Sequence, residues 1–149
     1  MSLTSKRRIK DIKCLSETHH IEYEEDNFNV LYINLEAPNC VPWKGGKWKI
    51  RIELPEQYPY KSPSVGFVTK IWHPNICYNS GTICLDVLNT EWSPVFNLDC
   101  VINKYLPLLL QSPNPSDPLN HKAAQEYLTD INKYYDTVKN KINLHCKNN

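Results

Sequence analysis

Residues 73–87 hold the side chains best suited to chemistry. The stretch reads His-Pro-Asn-Ile-Cys-Tyr-Asn-Ser-Gly-Thr-Ile-Cys-Leu-Asp-Val and has little helical or strand periodicity. Turn-forming residues at positions 74–75 and 79–81 predict a loop, and loops carry a large share of catalytic residues. Cys84 follows the second turn and stands two positions before Asp86. The segment therefore offers a nucleophilic sulfur close to an acid.

Three other interpretations of Cys84 stay open on the residues alone. A free cysteine is often simply a buried core residue. His73, Cys77 and Cys84 supply three ligands for zinc, but the chain has no C-x-x-C pair and no obvious fourth ligand. A cysteine hydrolase needs a histidine and an orienting Asn or Asp around the thiol. The sequence does not place the remaining histidines relative to Cys84; these are His19, His20, His121 and His145.

The combination of motifs is more specific than any one of them. His-Pro-Asn-Ile, then Ser-Gly-Thr-Ile-Cys-Leu-Asp-Val, then Trp-Ser-Pro at residues 92–94 closely resembles the active-site segment of ubiquitin-conjugating enzymes. The resemblance continues upstream in Pro-Trp-Lys-Gly-Gly at 42–46 and Tyr-Pro-Tyr-Lys-Ser-Pro at 58–63. Downstream it continues in Pro-Asn-Pro-Ser-Asp-Pro-Leu at 113–119. It covers nearly the entire chain.

This resemblance implies a carrier enzyme. Such an enzyme accepts ubiquitin from the activating enzyme as a thioester on Cys84 and transfers it to a substrate lysine, usually with a RING-type ligase. No cofactor is expected to bind, because ATP is used by the activating enzyme and this chain has no Gly-rich phosphate loop. Non-catalytic ubiquitin-binding variants of the fold lack the cysteine. The motifs look most like the ubiquitin branch rather than that of another modifier.

The resemblance also assigns roles to residues around Cys84. Asn75 matches an asparagine that stabilises the tetrahedral oxyanion, or that only fixes the loop. Asp117 matches the acidic residue on the lysine-entry side, and its plain alternative is an ordinary turn residue. Asp86 is read as loop structure or lysine approach. His73 is read as structural, holding the loop.

Partner surfaces follow from the same resemblance. A RING-type ligase is expected to meet two loops and the first helix; the matching residues are Lys6, Lys10, Tyr60, Ser93, Pro94 and Val95. Leu119 matches a residue that supports the closed conjugate with ubiquitin. The alternatives are core packing for Tyr60 and Trp92, and a solvated basic face for the lysines.

Two features resemble the H-type subgroup, whose members serve a multisubunit ligase of the CTLH type. Asn75 and Cys84 are nine positions apart, one more than in the commonest members, and Leu106-Pro107 also fits that subgroup. Its members usually carry a longer, acidic C-terminal tail. Residues 139–149 are instead mildly basic, so a preference for basic substrates is not implied.

Composition limits the remaining possibilities. At 149 residues, with 41% hydrophobic and 22% charged residues, the chain is expected to form one globular domain over residues 1–149. A net charge of +1 disfavours a broadly basic nucleic-acid binder. No apolar run approaches the roughly 20 residues of a membrane span, and the N-terminus lacks the apolar core of a signal peptide. We expect a cytoplasmic or nuclear protein whose six cysteines are mostly free thiols.

The elements that must position the loop can be predicted from periodicity. A helix over residues 6–18 carries an apolar stripe of Ile9, Ile12 and Leu15. Four strands follow at about 20–24, 29–36, 48–54 and 65–68, and the third has the cleanest alternation. Their short connections favour an antiparallel meander.

Three helices are predicted after the loop. Asn97, Asn120 and either Thr129 or Asp130 are suited to cap them. Pro107 should kink or shorten the first of these helices, and residues 113–118, here called the proline loop, should be extended and stiff. The expected fold is α+β and like that of ubiquitin-conjugating enzymes: a four-stranded antiparallel sheet with an N-terminal helix and three C-terminal helices.

Overall fold

The computed structural model describes residues 2–83 and 92–146. The first half contains helix α1 and four strands: α1 (Leu3–Ser16), β1 (Glu22–Glu24), β2 (Asn27–Glu36), β3 (Lys47–Glu53) and β4 (Ser64–Phe67). The second half contains α2, a continuous helical segment made of Leu98–Cys100, the π-helical Val101–Tyr105 and Leu106–Gln111, then α3 (His121–Thr129) and α4 (Ile131–His145). The predicted α+β arrangement, with one N-terminal helix and three C-terminal helices, is confirmed.

The sheet is an antiparallel meander in the order β1-β2-β3-β4. Its register places Ile33 opposite Ile50, and Ile52 opposite Val65. Side chains alternate along β3, so Trp48, Ile50 and Ile52 are buried while the intervening residues are half-buried. One face of the sheet therefore forms a single hydrophobic core with the inner sides of the helices.

Helix α1 packs only part of the predicted apolar stripe, because Leu15 is buried and Ile12 packs against the core but Ile9 does not. Asp11 and Leu15 are its buried residues, whereas Ile9 is 54% exposed. Asp11 is buried because it accepts hydrogen bonds from Arg7 and from the Tyr58 hydroxyl, which replace its contacts with water. The helix also begins earlier than predicted, because Ser2 caps it by accepting from the Ser5 amide.

Pro107 does not end α2. The backbone amide of Leu106 donates to the Val101 carbonyl five residues earlier, which closes the widened π turn. Pro107 then lies in the first turn of the α-helical part, Leu106–Gln111, where a missing amide hydrogen costs least. The helical segment therefore continues past Pro107 through a π turn instead of stopping there.

The caps of the other helices are as predicted. Asn97, Asn120 and Asp130 accept from the backbone amides of Cys100, Ala123 and Lys133. On α4 the buried residues are Tyr134, Val138 and Ile142, whereas Ile131 at its start is 40% exposed. In the part of the chain that the structure describes, no helix is both long and apolar enough to cross a membrane.

Candidate active site

The predicted nucleophile Cys84 and the nearby Asp86 lie outside the described residues. The description stops at Ile83 and resumes at Trp92. The geometry of the candidate site is therefore that of residues 73–83, which lead directly into Cys84, and of the segments that contact them.

His73 is fully buried and both of its ring nitrogens are used. Its Nδ1 accepts from the backbone amide of Asn75 at 2.9 Å. The proton must then reside on Nε2, which donates to the Leu109 carbonyl at 2.8 Å. Burial lowers the pKa of His73 to about 4. The imidazole is thus neutral at pH 7 and has no free lone pair for a thiol proton or a metal.

Zinc, with His73, Cys77 and Cys84 as ligands, was an alternative at this loop, and its third ligand lies outside the described residues. Among residues 2–83 and 92–146, no three His, Cys, Asp or Glu side chains are grouped so as to hold a metal ion.

Asn75 joins the His-Pro-Asn segment to the proline loop. Its fully buried amide nitrogen donates to the carbonyls of Asn114 at 2.7 Å and Asp117 at 3.3 Å. Its amide oxygen accepts from the Asn114 backbone amide at 2.7 Å. Both amide hydrogens therefore serve the loop. In this arrangement an oxyanion gains a hydrogen bond from Asn75 only if one of these bonds is given up.

A second set of hydrogen bonds continues this joint. The Pro74 carbonyl accepts from the backbone amides of Leu119 at 2.9 Å and Asn120 at 3.0 Å. The proline loop is therefore fastened at both ends and contains a turn, with the Asp117 amide 3.5 Å from the Asn114 carbonyl, rather than being fully extended. The side chain of Asp117 is exposed on this loop, and that of Leu119 is exposed directly after it.

The last residues before Cys84 are held against β4. Gly81 has a φ of +75°, and a Cβ there would lie 1.8 Å from the Phe67 carbonyl oxygen. The absence of a side chain lets the Gly81 carbonyl accept from the Phe67 amide at 2.9 Å. The Cys77 amide donates to the Thr82 carbonyl at 2.8 Å. Main-chain bonds thus hold this turn on the edge of the sheet.

Cys77 is a second thiol in the same loop. Hydrogen bonds from the Ser80 side chain, and then from the backbone amides of Ser80 and Asn79, lower its pKa. Sequence reasoning did not single out Cys77 as activated, because the cause is the fold of the 77–80 turn. Cys77 is therefore the control that any assignment to Cys84 requires.

The residues predicted to meet a ligase lie on segments that are joined together. Arg7 donates to the carbonyls of Pro94, at 2.7 Å, and Phe96, and its Nε contacts Asp11 at 2.8 Å. The Trp92 indole donates to the Pro59 carbonyl at 2.8 Å. These bonds connect α1, the loop at 55–63 and the loop at 93–96.

The side chains presented on this surface differ in exposure. Tyr60 is 59% and Val95 is 84% exposed, Pro94, Lys6 and Lys10 are also exposed, and Ser93 is half-buried. Trp92, by contrast, is half-buried and packs against Tyr58, with the two rings tilted by 37° and their centroids 5.9 Å apart.

Sequence reasoning missed the supports of this surface. Tyr58 is fully buried, and burial followed by its hydrogen bond to Asp11 raises its pKa above the usual range. The i, i+4 spacing of Arg7 and Asp11 was the only local signal of their pairing. Their contacts with Tyr58 and Pro94 span 47 and 87 positions and have no local signature.

Comparisons with known proteins agree with this geometry. The sequence model of the ubiquitin-conjugating enzyme family matches residues 5–142. Ubiquitin-conjugating enzyme E2 5 of Arabidopsis thaliana is 46% identical over 148 residues, which cover 99% of this chain and 80% of the plant protein. Ubiquitin-conjugating enzyme E2-24 kDa of Saccharomyces cerevisiae is 43% identical over 145 residues, or 96% of this chain and 66% of the yeast protein.

Solved structures show the same fold. The E2 domain of a Toxoplasma gondii ubiquitin conjugating enzyme superposes with a TM-score of 0.86 at 28% identity, covering 95% of this chain and 98% of that domain. A Plasmodium yoelii protein superposes with a TM-score of 0.88 at 31% identity, covering 97% and 96%. This α+β topology, with a His-Pro-Asn loop, is the fold of ubiquitin-conjugating enzymes. The chain belongs to the ubiquitin-conjugating enzyme family.

Proposed function

We propose that Cys84 accepts ubiquitin from the activating enzyme as a thioester and passes it to the amine of a substrate lysine, with a RING-type ligase as partner. The observation that carries the proposal is the joint at Asn75. One buried amide holds the proline loop, with Asp117, against the segment that leads into Cys84. An acid for the incoming lysine is thereby kept close to the carrier loop.

Loading is a thiol exchange. The Cys84 thiolate attacks the carbonyl carbon of the thioester on the activating enzyme, a new C–S bond forms, and the activating enzyme's cysteine leaves as a thiolate. A free cysteine with a pKa near 8.5 is about 3% thiolate at pH 7. Because the incoming group is already a thioester, this step needs no dedicated base, which fits the neutral, fully bonded His73. ATP acts only at the activating enzyme.

Discharge is the harder step. A lysine with a pKa near 10.4 is about 0.1% neutral at pH 7.4. Its neutral nitrogen attacks the thioester carbonyl, a tetrahedral oxyanion forms, the C–S bond breaks and Cys84 leaves as a thiolate, while the ammonium proton must depart. We assign Asp117 to steering the amine and receiving that proton, and Asn75 to holding Asp117 in place. Leu119, exposed beside Asp117, would support the bound ubiquitin.

The ligase is assigned to the surface of exposed Tyr60, Pro94 and Val95 together with Lys6 and Lys10. The resemblance to the H-type subgroup extends this assignment to a CTLH-type assembly. A cytoplasmic or nuclear location is part of the same proposal.

The test is a mixture of activating enzyme, ATP, ubiquitin and this protein, read on a non-reducing gel. Wild type and Cys77→Ser should form a reductant-sensitive adduct, whereas Cys84→Ser should give a reductant-resistant ester or none. A normal thioester on Cys84→Ser, with none on Cys77→Ser, would transfer the nucleophile to Cys77. In a second arm, Asp117→Asn should slow discharge to lysine about tenfold but discharge to hydroxylamine, which is neutral at pH 7, much less. Equal slowing of both would restrict Asp117 to supporting its loop.

A further inference from the structure

A groove of about 480 Å³ lies between the outer side of β4 and the loop that leads into Cys84. Ser64 and Gly66 of β4 line one side, and Tyr78, Ser80 and Thr82 line the other. Lys70 stands at its edge. We call it the β4 groove. The hydroxyls of Ser64, Tyr78, Ser80 and Thr82 and the guanidinium of Arg51 also belong to its lining, so it offers donors and acceptors of hydrogen bonds.

Basic side chains from two distant segments meet at one end of this groove. The Lys70 Nζ lies 4.9 Å from the centroid of the Tyr78 ring, and the Lys141 Nζ from α4 lies at the same distance from that ring. Lys141 is also 5.6 Å from the centroid of Trp72. The Tyr78 hydroxyl shares a 2.6 Å hydrogen bond with Nε2 of His145. Both ammonium groups therefore lie against the Tyr78 ring, which puts them within about 10 Å of each other.

The two lysines have no carboxylate counterpart in residues 2–83 and 92–146. The ion pairs there are Arg7–Asp11, Lys47–Glu36 and Arg51–Glu53. After burial, the charges of Lys141 and Lys70 are what lower the pKa of His145, so the positive potential is felt across the cluster. Two like charges that share one ring repel each other, and an added anion would relieve that repulsion.

The position of the groove connects it with the reaction. Thr82, which lines it, is two residues from Cys84, so their Cα atoms are at most about 7 Å apart. A peptide that presents its lysine to Cys84 advances about 3.3 Å per extended residue. An acidic side chain about two to four residues from the lysine would then lie within the groove.

We infer that the β4 groove, with Lys70 and Lys141, binds acidic residues that flank the acceptor lysine, and so selects substrates with lysines in acidic segments. This inference rests on the proposed transfer from Cys84 to lysine. A peptide suits the groove better than a nucleic acid does, because the groove is short and the net charge of +1 provides no extended basic track for a phosphate backbone.

The experiment compares two single-lysine peptides in discharge from the preformed thioester. One carries Asp and Glu around the lysine, and the other carries Asn and Gln at the same positions. The rate ratio of acidic to neutral peptide is taken within each variant, which cancels any general loss of activity. For wild type we expect a ratio of about 5 to 20 at low salt, from two charge contacts of ordinary strength, falling towards 1 at high salt.

The ratio should fall to about 2–4 in Lys70→Gln or Lys141→Gln and to about 1 in the double variant, while Lys141→Arg keeps the wild-type ratio. The matched control is Lys139→Gln, which should also keep that ratio. Lys139 is exposed on the same helix, and two positions along a helix correspond to about 200° around its axis from Lys141. A wild-type ratio near 1, or a double variant that retains the preference, overturns the inference while leaving the transfer reaction intact.

Two other results separate the remaining possibilities. Absence of any thioester would defeat the proposed function before the peptides are compared. Suppression of the acidic preference by a short single-stranded oligonucleotide, with no suppression by a lysine-free acidic peptide, would assign the site to nucleic acid and overturn the peptide inference.

Discussion

The joint between the His-Pro-Asn segment and the proline loop is neutral and centred on the fully buried Asn75, whereas the joint between α1 and the loop at 93–96 is charged and centred on the partly exposed Arg7. Asn75 and His73 are 0% exposed and use amide, imidazole and carbonyl groups. Arg7 is 22% exposed at its side chain and bridges Asp11 to two backbone carbonyls. We call these the amide joint and the arginine joint.

This difference suits the two tasks assigned to the loops. Neutral buried hydrogen bonds keep their geometry as salt changes, which is what a step dependent on the placement of Asp117 requires. The charged contacts of a joint at the surface are weakened by salt, and its charged groups remain partly in contact with water. The amide joint is therefore suited to fixing a reaction geometry, and the arginine joint to holding a surface that partners approach.

Removing the Asn75 amide should have the largest effect. Asn75→Ala deletes three hydrogen bonds and leaves the carbonyls of Asn114 and Asp117 with one partner fewer, so we expect a loss of about 3–4 kcal/mol in the free energy of unfolding. Charging by the activating enzyme should continue at temperatures where the variant is folded. Discharge to lysine should fall about 100- to 1,000-fold, because Asp117 is no longer held. Urea unfolding and single-turnover discharge measure the two effects.

The control for this change is Asn140→Ala, an exposed asparagine on α4, which should shift stability by less than about 0.5 kcal/mol. If Asn75→Ala discharged to lysine at the wild-type rate while folded, the amide joint would have no part in lysine attack.

The buried His73 should make stability depend on pH. The pKa of His73 is about 4 in the folded protein and near 6.5 in the unfolded chain. Between these pH values the imidazole is protonated in the unfolded chain but stays neutral in the folded protein. Stability is then greatest above pH 6.5 and falls as the pH drops towards 4. At neutral pH this difference in the pKa of His73 contributes about 3 kcal/mol to the free energy of unfolding. Denaturant unfolding of wild type and His73→Gln across pH 4–7.5 isolates it, because carboxylates and other histidines contribute to both proteins.

His73→Gln should show a shallower decline over that range. His121→Gln, which alters an exposed residue at the start of α3, should keep the wild-type slope. Parallel curves for wild type and His73→Gln would mean that the imidazole is not buried in its neutral form.

The sequence predicted those features that depend on neighbours along the chain. Alternation in β3 and the caps Asn97, Asn120 and Asp130 are local patterns, and each was predicted correctly. The amide joint was missed in its details because Asn75 meets Asn114 across 39 positions. The burial of Asp11 was missed for a related reason. An acidic residue counts as polar until its distant partner Tyr58 is known, and only the fold brings that partner close.

The arginine joint should give the smallest of the three effects and the clearest dependence on salt. Arg7→Ala removes one of the two side-chain donors to the buried Asp11 carboxylate and leaves the Tyr58 hydroxyl bonded to it. Because Arg7 is partly exposed, we expect a loss of about 2 kcal/mol in the free energy of unfolding rather than the larger cost of a fully buried pair. Arg7→Lys keeps the charge but not the two-pronged contact with Pro94 and Phe96, so it should recover only part of that loss.

Charging of Arg7→Ala by the activating enzyme should remain near normal, while ligase-stimulated discharge falls several-fold because the loop at 93–96 is no longer held against α1. Tyr60→Ala should reproduce the ligase defect without the loss of stability, since its ring is exposed. High salt should narrow the stability difference between wild type and Arg7→Ala, and leave the difference caused by Asn75→Ala unchanged. If salt altered both differences equally, the contrast between a charged joint and a neutral one would be wrong.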